Sequence, residues 1–163
     1  MERRPFDLAA YAERSGGPCF VCRLVAGDPD YVHHVVHEDA AAIVFLNKYP
    51  TLGGHTLVCP KTHREQVTGD FSQAEYLELQ ALVWRVGEAV RRAMGAERVY
   101  VMSLGSNDAN AHVHWHAAPL PPGVPLDDQQ FAALDAARGV LALSEDAMAG
   151  IAARIRAELA AVG

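Results

Sequence analysis

Hydrophobic and polar positions along this chain follow two periods in succession. Residues 31–37 and 41–47 are β-branched and aromatic, and Glu38 and Asp39 between them predict a hairpin. Lys48-Tyr49-Pro50-Thr51-Leu52-Gly53-Gly54 is loop chemistry, and residues 55–59 form a third strand candidate stopped by Pro60. The period then becomes helical. Ser72 and Glu75 have capping-box spacing, and Tyr76, Leu79, Val83, Val86, Val90 and Met94 share one face ahead of Gly95. Residues 98–104 and 111–118 read as a fourth and a fifth strand around a loop at 105–110. The proline-rich run 119–125 is expected to be an exposed connector, because proline cannot join a central strand. Two helices are expected to finish the chain, over 127–137 and 145–160, the second with Met148, Ile151, Ile155 and Leu159 on one side. Residues 1–18 end in Gly16-Gly17-Pro18 and read as a loop or lead-in. Strands in a run, interrupted by one long helix, predict an α+β fold with a largely antiparallel sheet.

A chain of 163 residues is one domain's worth, read as a core over 1–120 and a helical extension of the same domain over 121–163. At that size roughly two thirds of the surface is buried, so neither metal nor disulfide is needed merely to fold. The net charge of −6 and the lack of a basic stripe argue against a nucleic-acid partner. No apolar run approaches the roughly 18 residues of a membrane span. No apolar signal core follows Met1-Glu2-Arg3-Arg4-Pro5, and three cysteines make a poor disulfide framework. A reducing, cytoplasmic setting is therefore expected.

The chemistry concentrates in Ala111-His112-Val113-His114-Trp115-His116-Ala117-Ala118. On an extended chain alternate side chains share a face, so the three histidines project together while Val113, Trp115 and Ala117 face the core. Three imidazoles on one face are costly to bury without partners. The competing reading is an exposed face of solvated histidines or an accidental chelating stripe. His55 taken alone could be an ordinary strand-start histidine, and Asn47 ordinary turn chemistry.

The segment resembles the signature of the histidine triad superfamily, three histidines each followed by an apolar residue, with Pro119 after it. Phe45-Leu46-Asn47-Lys48-Tyr49-Pro50 and Gly54-His55-Thr56-Leu57-Val58-Cys59-Pro60-Lys61-Thr62-His63 resemble a second block of that family, and Cys19-Phe20-Val21-Cys22 sits where many members carry a Cys-x-x-Cys. The resemblance implies a histidine-triad fold: a five-stranded antiparallel sheet and one long helix, here with two carboxyl-terminal helices. It also implies a homodimer formed through that helix and a strand, and a small nucleotide as substrate. His114 would be the nucleophile toward the α-phosphorus, His116 would protonate or orient the leaving group, and His55 would brace the site. Asn47 would face the ribose, and Asn107, Ser106 and Asn110 would supply phosphate contacts. The family's glycine-rich phosphate stretch is shorter here and lacks its glutamine, and Asp108 within it would repel a phosphate unless turned away.

In zinc-bearing relatives the Cys-x-x-Cys is completed by two histidines, whose places here are His63 and His112. The resemblance thus implies a structural zinc on Cys19, Cys22, His63 and His112. A redox pair, or two metal-free core cysteines, are the alternatives that spacing alone leaves open. The function expected is a nucleotide hydrolase working through a nucleotidyl-histidine. A dinucleoside polyphosphate phosphorylase or nucleotidyltransferase is the nearest alternative, and a non-catalytic nucleotide-binding zinc module is the alternative from another class.

Overall fold

The computed structural model describes residues 2–107 and 109–162, so Asp108 lies outside the described residues. The chain opens with β1 (Arg3–Arg4), α1 (Leu8–Ser15) and α2 (Phe20–Val25), then β2 (Val35–Glu38), β3 (Ala42–Leu46) and β4 (Thr56–Pro60). After α3 (Gln73–Met94) come β5 (Arg98–Met102), β6 (Trp115–Leu120), α4 (Phe131–Leu134), β7 (Val140–Leu141) and α5 (Glu145–Ala161). The main sheet is five-stranded and antiparallel in the order β2-β3-β4-β6-β5, and β1 and β7 make a separate two-stranded ribbon.

Strand parity decides what each face of the sheet meets. Val44 and Leu46 of β3, Val58 of β4, and Trp115 and Ala117 of β6 pack with Val83, Val86 and Val90 of α3 and Ile151, Ile155 and Leu159 of α5. The alternate residues Ile43, Phe45, Leu57 and Cys59 pack against Val21 of α2 on the opposite face. Because both faces of β3 are covered, its sequence is continuously apolar instead of alternating. The parity that sends Trp115 to the long helix sends His116 to the α2 face, where it sits opposite Leu57.

Helix α3 begins at the expected capping box: Ser72 accepts from the Glu75 backbone and Glu75 accepts from the Ser72 backbone. It stops at Gly95, whose φ of 59° and left-handed conformation return two amide hydrogens to the last turn.

Four expectations are corrected. Residues 1–18 are not a bare lead-in: Asp7 caps α1, and β1 pairs with β7. The fifth strand begins at Trp115, not at residue 111, because β4 pairs with it only as far as Val58. It also runs through Pro119, which is tolerated because pairing with β4 ends at Ala117 and only β5 lies alongside beyond it. The helix expected over 127–137 is a single turn, α4, between 3-10 turns at Leu126–Asp128 and Ala136–Arg138. Gln130 at φ 56° and the Asp135 side chain capping the second 3-10 turn break its continuity. No helix among the described residues is long and apolar enough to cross a membrane.

Candidate active site and metal centre

The histidines gather where the approach to β6 runs beside the segment after β4. The Val113 amide donates to the Arg64 carbonyl at 2.7 Å, which lays residues 112–114 against residues 61–64 although no ladder joins them. His63 and His112 therefore meet across the two segments, and α2 brings Cys19 and Cys22 to the same point. The ligand atoms of these four residues all lie within 4.8 Å of one another.

Their separations have the pattern of a coordination shell. Nδ1 of His63 lies 3.2 Å from Nδ1 of His112, Cys19 Sγ is 3.4 Å from His112 Nδ1, and Cys22 Sγ is 3.4 Å and 3.7 Å from the His63 and His112 Nδ1 atoms. With metal–nitrogen bonds of about 2.0 Å and metal–sulfur bonds of about 2.3 Å, a tetrahedron has N–N edges of roughly 3.3 Å and N–S edges of roughly 3.5 Å. The outer ring nitrogens fix the tautomers. His112 Nε2–H donates to the Pro60 carbonyl at 2.8 Å, and His63 Nε2–H donates to Glu65 at 3.0 Å. Both Nδ1 lone pairs thus point at each other, an arrangement that repels unless a cation lies between them. Burial and the neighbouring Cys19 push the Cys22 thiol up to about 11. The residues fit a tetrahedral metal ion.

Two residues further along, the chain makes a different use of imidazole. His114 Nδ1–H donates to the carbonyl of His112 at 2.7 Å, which leaves Nε2 with its lone pair. Burial lowers the proton affinity of the ring, so it is neutral near pH 7. Ser103 donates its hydroxyl to the His114 carbonyl at 2.8 Å, fixing the backbone that carries the ring. The ring is not packed in hydrocarbon alone: its neighbours are Phe20, edge-on at 6.4 Å, and His116 at 4.8 Å between centroids.

His116 Nδ1 lies 2.9 Å from His55 Nε2. The Tyr49 amide donates to Asn47 Oδ1, which turns the Asn47 amide group toward His55 Nδ1 at 3.5 Å. In that orientation His55 Nδ1 accepts, His55 Nε2–H donates to His116 Nδ1, and the His116 proton sits on Nε2. That Nε2 is buried without a hydrogen-bond partner. Burial, with nearby His114, lowers His55 to about 4, and burial with His55 and His114 lowers His116 to about 2. The free site is therefore an uncharged imidazole cluster.

Two cavities flank it. One of ≈ 180 Å³ is lined by Phe20, Tyr31, His33, Asn47 and Lys48, among others, and another of ≈ 200 Å³ by His55, His116 and several apolar groups. Phe20 and His116, the two ring neighbours of His114, belong one to each. A larger cavity, ≈ 490 Å³ beside Arg3, Leu120 and Arg138, is lined by none of these histidines.

Of the residues expected at phosphate and sugar, Asn47 lines both cavities and Asn110 lines the first. Ser106 and Asn107 lie exposed on the loop and line neither. Sequence reading assigned no role to His33, yet it lines the first cavity against Phe45, and burial with Lys48 nearby lowers it to about 4. It also passed over Tyr11, which lines both cavities from α1. The signal that could have revealed it is Asp7 in capping position ahead of Leu8 and Tyr11, which lie three apart on one helix face.

The model of the HIT domain matches residues 29–121. An adenosine 5'-monophosphoramidase of Schizosaccharomyces pombe is 30% identical over 129 residues, which cover 71% of this chain and 92% of that protein. Among solved structures, a Zn-bound histidine triad family protein from Mycobacterium smegmatis superposes with a TM-score of 0.65 at 25% identity, covering 90% of this chain and 96% of that one. A hypothetical histidine triad nucleotide-binding protein from Sulfolobus tokodaii shares the fold with a TM-score of 0.71 at 23% identity, over 88% of this chain and 93% of that one.

Proposed function

This chain belongs to the HIT domain family, and from that premise we propose that it is a nucleotide hydrolase acting at the α-phosphorus of a nucleotidyl compound. The observation that carries the reading is the His114 ring, held through Nδ1–H with Nε2 keeping its lone pair, beside Phe20 of one cavity and His116 of the other. Phe20, Tyr31 and His33 offer flat surfaces to a base, Asn47 offers polar atoms to a ribose, and Lys48 and Arg14 line the same cavity with positive charge for phosphate.

A bound phosphate anion favours protonation of the adjacent His55–His116 pair, which takes up one proton with the substrate. His114 Nε2 bonds to phosphorus while the bond from phosphorus to the leaving nitrogen or oxygen breaks. The departing atom keeps the electron pair and receives the proton from His116 Nε2. Water then bonds to phosphorus and gives a proton back to the pair, while the bond from phosphorus to His114 Nε2 breaks and the nitrogen recovers its electron pair; the nucleotide leaves, and the proton taken up at the start is released with it.

The Cys19, Cys22, His63 and His112 cluster is proposed to hold a structural zinc. The matching edge lengths support this, as does the Zn-bound relative. With all four positions taken by protein, the ion would supply rigidity to the approach to β6. A homodimer is proposed through α3 and β5, where Leu77, Trp84 and Val101 are exposed.

The test compares wild type with His114→Ala on adenosine 5'-phosphoramidate and on diadenosine tetraphosphate, with and without inorganic phosphate. Turnover lost in the variant supports the enzyme, whereas an equal background in both leaves only a binding module. Stimulation by phosphate would favour the transferase alternative.

A further inference from the structure

The cavity beside His116 differs in chemistry from its neighbour. Its wall includes Phe6, Tyr11, Tyr49, Met102, Leu104 and Leu134. Among the described residues lining it there is no Asp, Glu, Lys or Arg, whereas the neighbouring cavity carries Arg14, Lys48 and Asp30. Its polar members are Asn47, Thr51, His55 and His116. Three described side chains carry a buried polar atom without a partner, and two of them line this cavity: His116 through Nε2, and Thr51 through Oγ1, which also borders the ≈ 490 Å³ cavity.

Part of the wall, Phe6, Leu8 and Tyr11, comes from an amino-terminal segment outside the family match. Phe6, Tyr11 and Tyr49 form a three-ring cluster with centroid separations of 5.1, 5.3 and 5.7 Å. Asn110 donates from Nδ2 to the Tyr11 hydroxyl at 2.5 Å, tying this amino-terminal strap to the loop just before His112. Asn110 adopts φ 54°, a left-handed backbone that asparagine tolerates better than most residues. The strap is pinned at its start by the β1–β7 ribbon, where Arg3 also donates to the Thr51 and Gly139 carbonyls.

We propose that this cavity receives the leaving group, and that it selects an amine or alcohol with an apolar or aromatic body and no further charge. The inference rests on the hydrolytic reading above and narrows its substrate class. Position supports the assignment, because His116, the donor to the departing atom, belongs to this cavity while the cations belong to the other. A polyphosphate or cationic tail placed here would lose its hydration with no countercharge in the wall. An aromatic tail would meet the three rings, and a hydroxyl or carbonyl on it could satisfy Thr51 Oγ1. The strap itself lies outside residues 29–121, the stretch that the HIT domain model matches.

The test uses three adenosine 5'-phosphoramidates that differ only in the amine: ammonia, 2-phenylethylamine and 1,3-diaminopropane. Wild type is expected to show kcat/KM at least roughly tenfold higher for the phenylethyl compound than for the aminopropyl one. Phe6→Ala should lower the phenylethyl-to-ammonia ratio roughly fivefold, the size of one lost aromatic contact. Leu104→Asp, at an exposed wall position, should reverse the preference between the phenylethyl and aminopropyl substrates. Turnover of the ammonia compound with no preference among the tails, or ratios unmoved by both substitutions, overturns this inference and leaves hydrolysis standing. Activity on none of the three above the His114→Ala background overturns both.

Discussion

If Cys19, Cys22, His63 and His112 hold zinc, the affinity must depend on pH in a way the geometry fixes. Sulfur binds the ion as thiolate, so both thiol protons have to leave on binding. The histidines can offer Nδ1 lone pairs to the ion, because their Nε2–H groups are committed to Pro60 and Glu65. Each displaced proton changes the apparent affinity tenfold per pH unit, so release from Cys22 alone gives a tenfold slope and release from both cysteines about a hundredfold slope. With the Cys22 thiol raised to about 11, its share of the slope should persist across the accessible alkaline range instead of levelling off near an ordinary thiol pKa. The assay is competition against a chromogenic chelator of known pH dependence, from about pH 7 to about pH 8.5, alongside Cys22→Ser protein. Wild type should bind one zinc per chain with a slope between tenfold and a hundredfold per unit. A slope well below tenfold, or an unchanged affinity in Cys22→Ser, would show that the thiolates are not ligands.

Three further perturbations probe the surroundings of the site. Burial depresses His55 to about 4, so the unfolded chain, with imidazoles near 6.5, binds the extra proton; stability is whole above about pH 6.5 and falls as the pH drops toward 4. The difference between 6.5 and about 4 corresponds to about 3 kcal/mol for His55, with His33, partly exposed, adding less in the same direction; urea midpoints that stay level from neutrality to pH 5 would contradict this. Gly54 precedes His55 at φ 85°, and an added Cβ would lie 2.6 Å from Met94 Cγ. Gly54→Ala should therefore cost about 1 kcal/mol in backbone strain and another ~1–3 in overpacking; thermal melts should show Met94→Ala relieving part of the loss, and additive effects would exclude the contact. Tyr11→Phe removes the Asn110 bond, worth about 1 kcal/mol, and should raise tryptic cleavage after Arg14 roughly fivefold; an unchanged rate would mean the strap is held by its rings alone.

What the sequence shows of the fold depends on how local the cause is. The α3 boundaries are legible because their causes lie within one turn of each end: the Ser72–Glu75 box and the left-handed Gly95. β3 and β4 are legible because burial on both faces makes them apolar throughout. α1 is short and buries no residue, so the Asp7 cap and the Leu8–Tyr11 face were its only local marks, and Tyr11 packs on Phe6 and Tyr49. The break in the 127–137 helix depends on a positive φ at Gln130, whose amide is held by the Tyr100 hydroxyl thirty positions away in sequence. The metal tetrad was suggested by likeness to relatives, while its closeness in space follows from the Val113–Arg64 bond, which no residue pattern announces.

The alternation of histidines has a cause beyond sharing a face. On an extended chain residue 114 returns to the side of residue 112, and here its Nδ1–H reaches back to the carbonyl two residues earlier. His112 thus acts twice, through its side chain in the tetrad and through its backbone oxygen on the ring that stays free. Whatever fixes the first fixes the second, so an ion at the tetrad would orient the reactive imidazole without touching substrate. The two roles separate by substitution, because the carbonyl survives any change at 112. His112→Cys keeps four ligands and should retain both zinc and most turnover. His112→Ala should lose the ion, loosen the segment and drop kcat roughly 10–100-fold, the usual cost of removing a supporting shell. Metal content and turnover on adenosine 5'-phosphoramidate, measured on the same two preparations, decide the matter. If His112→Ala sheds the ion and keeps full kcat, the tetrad stabilises the fold and has no hold on His114.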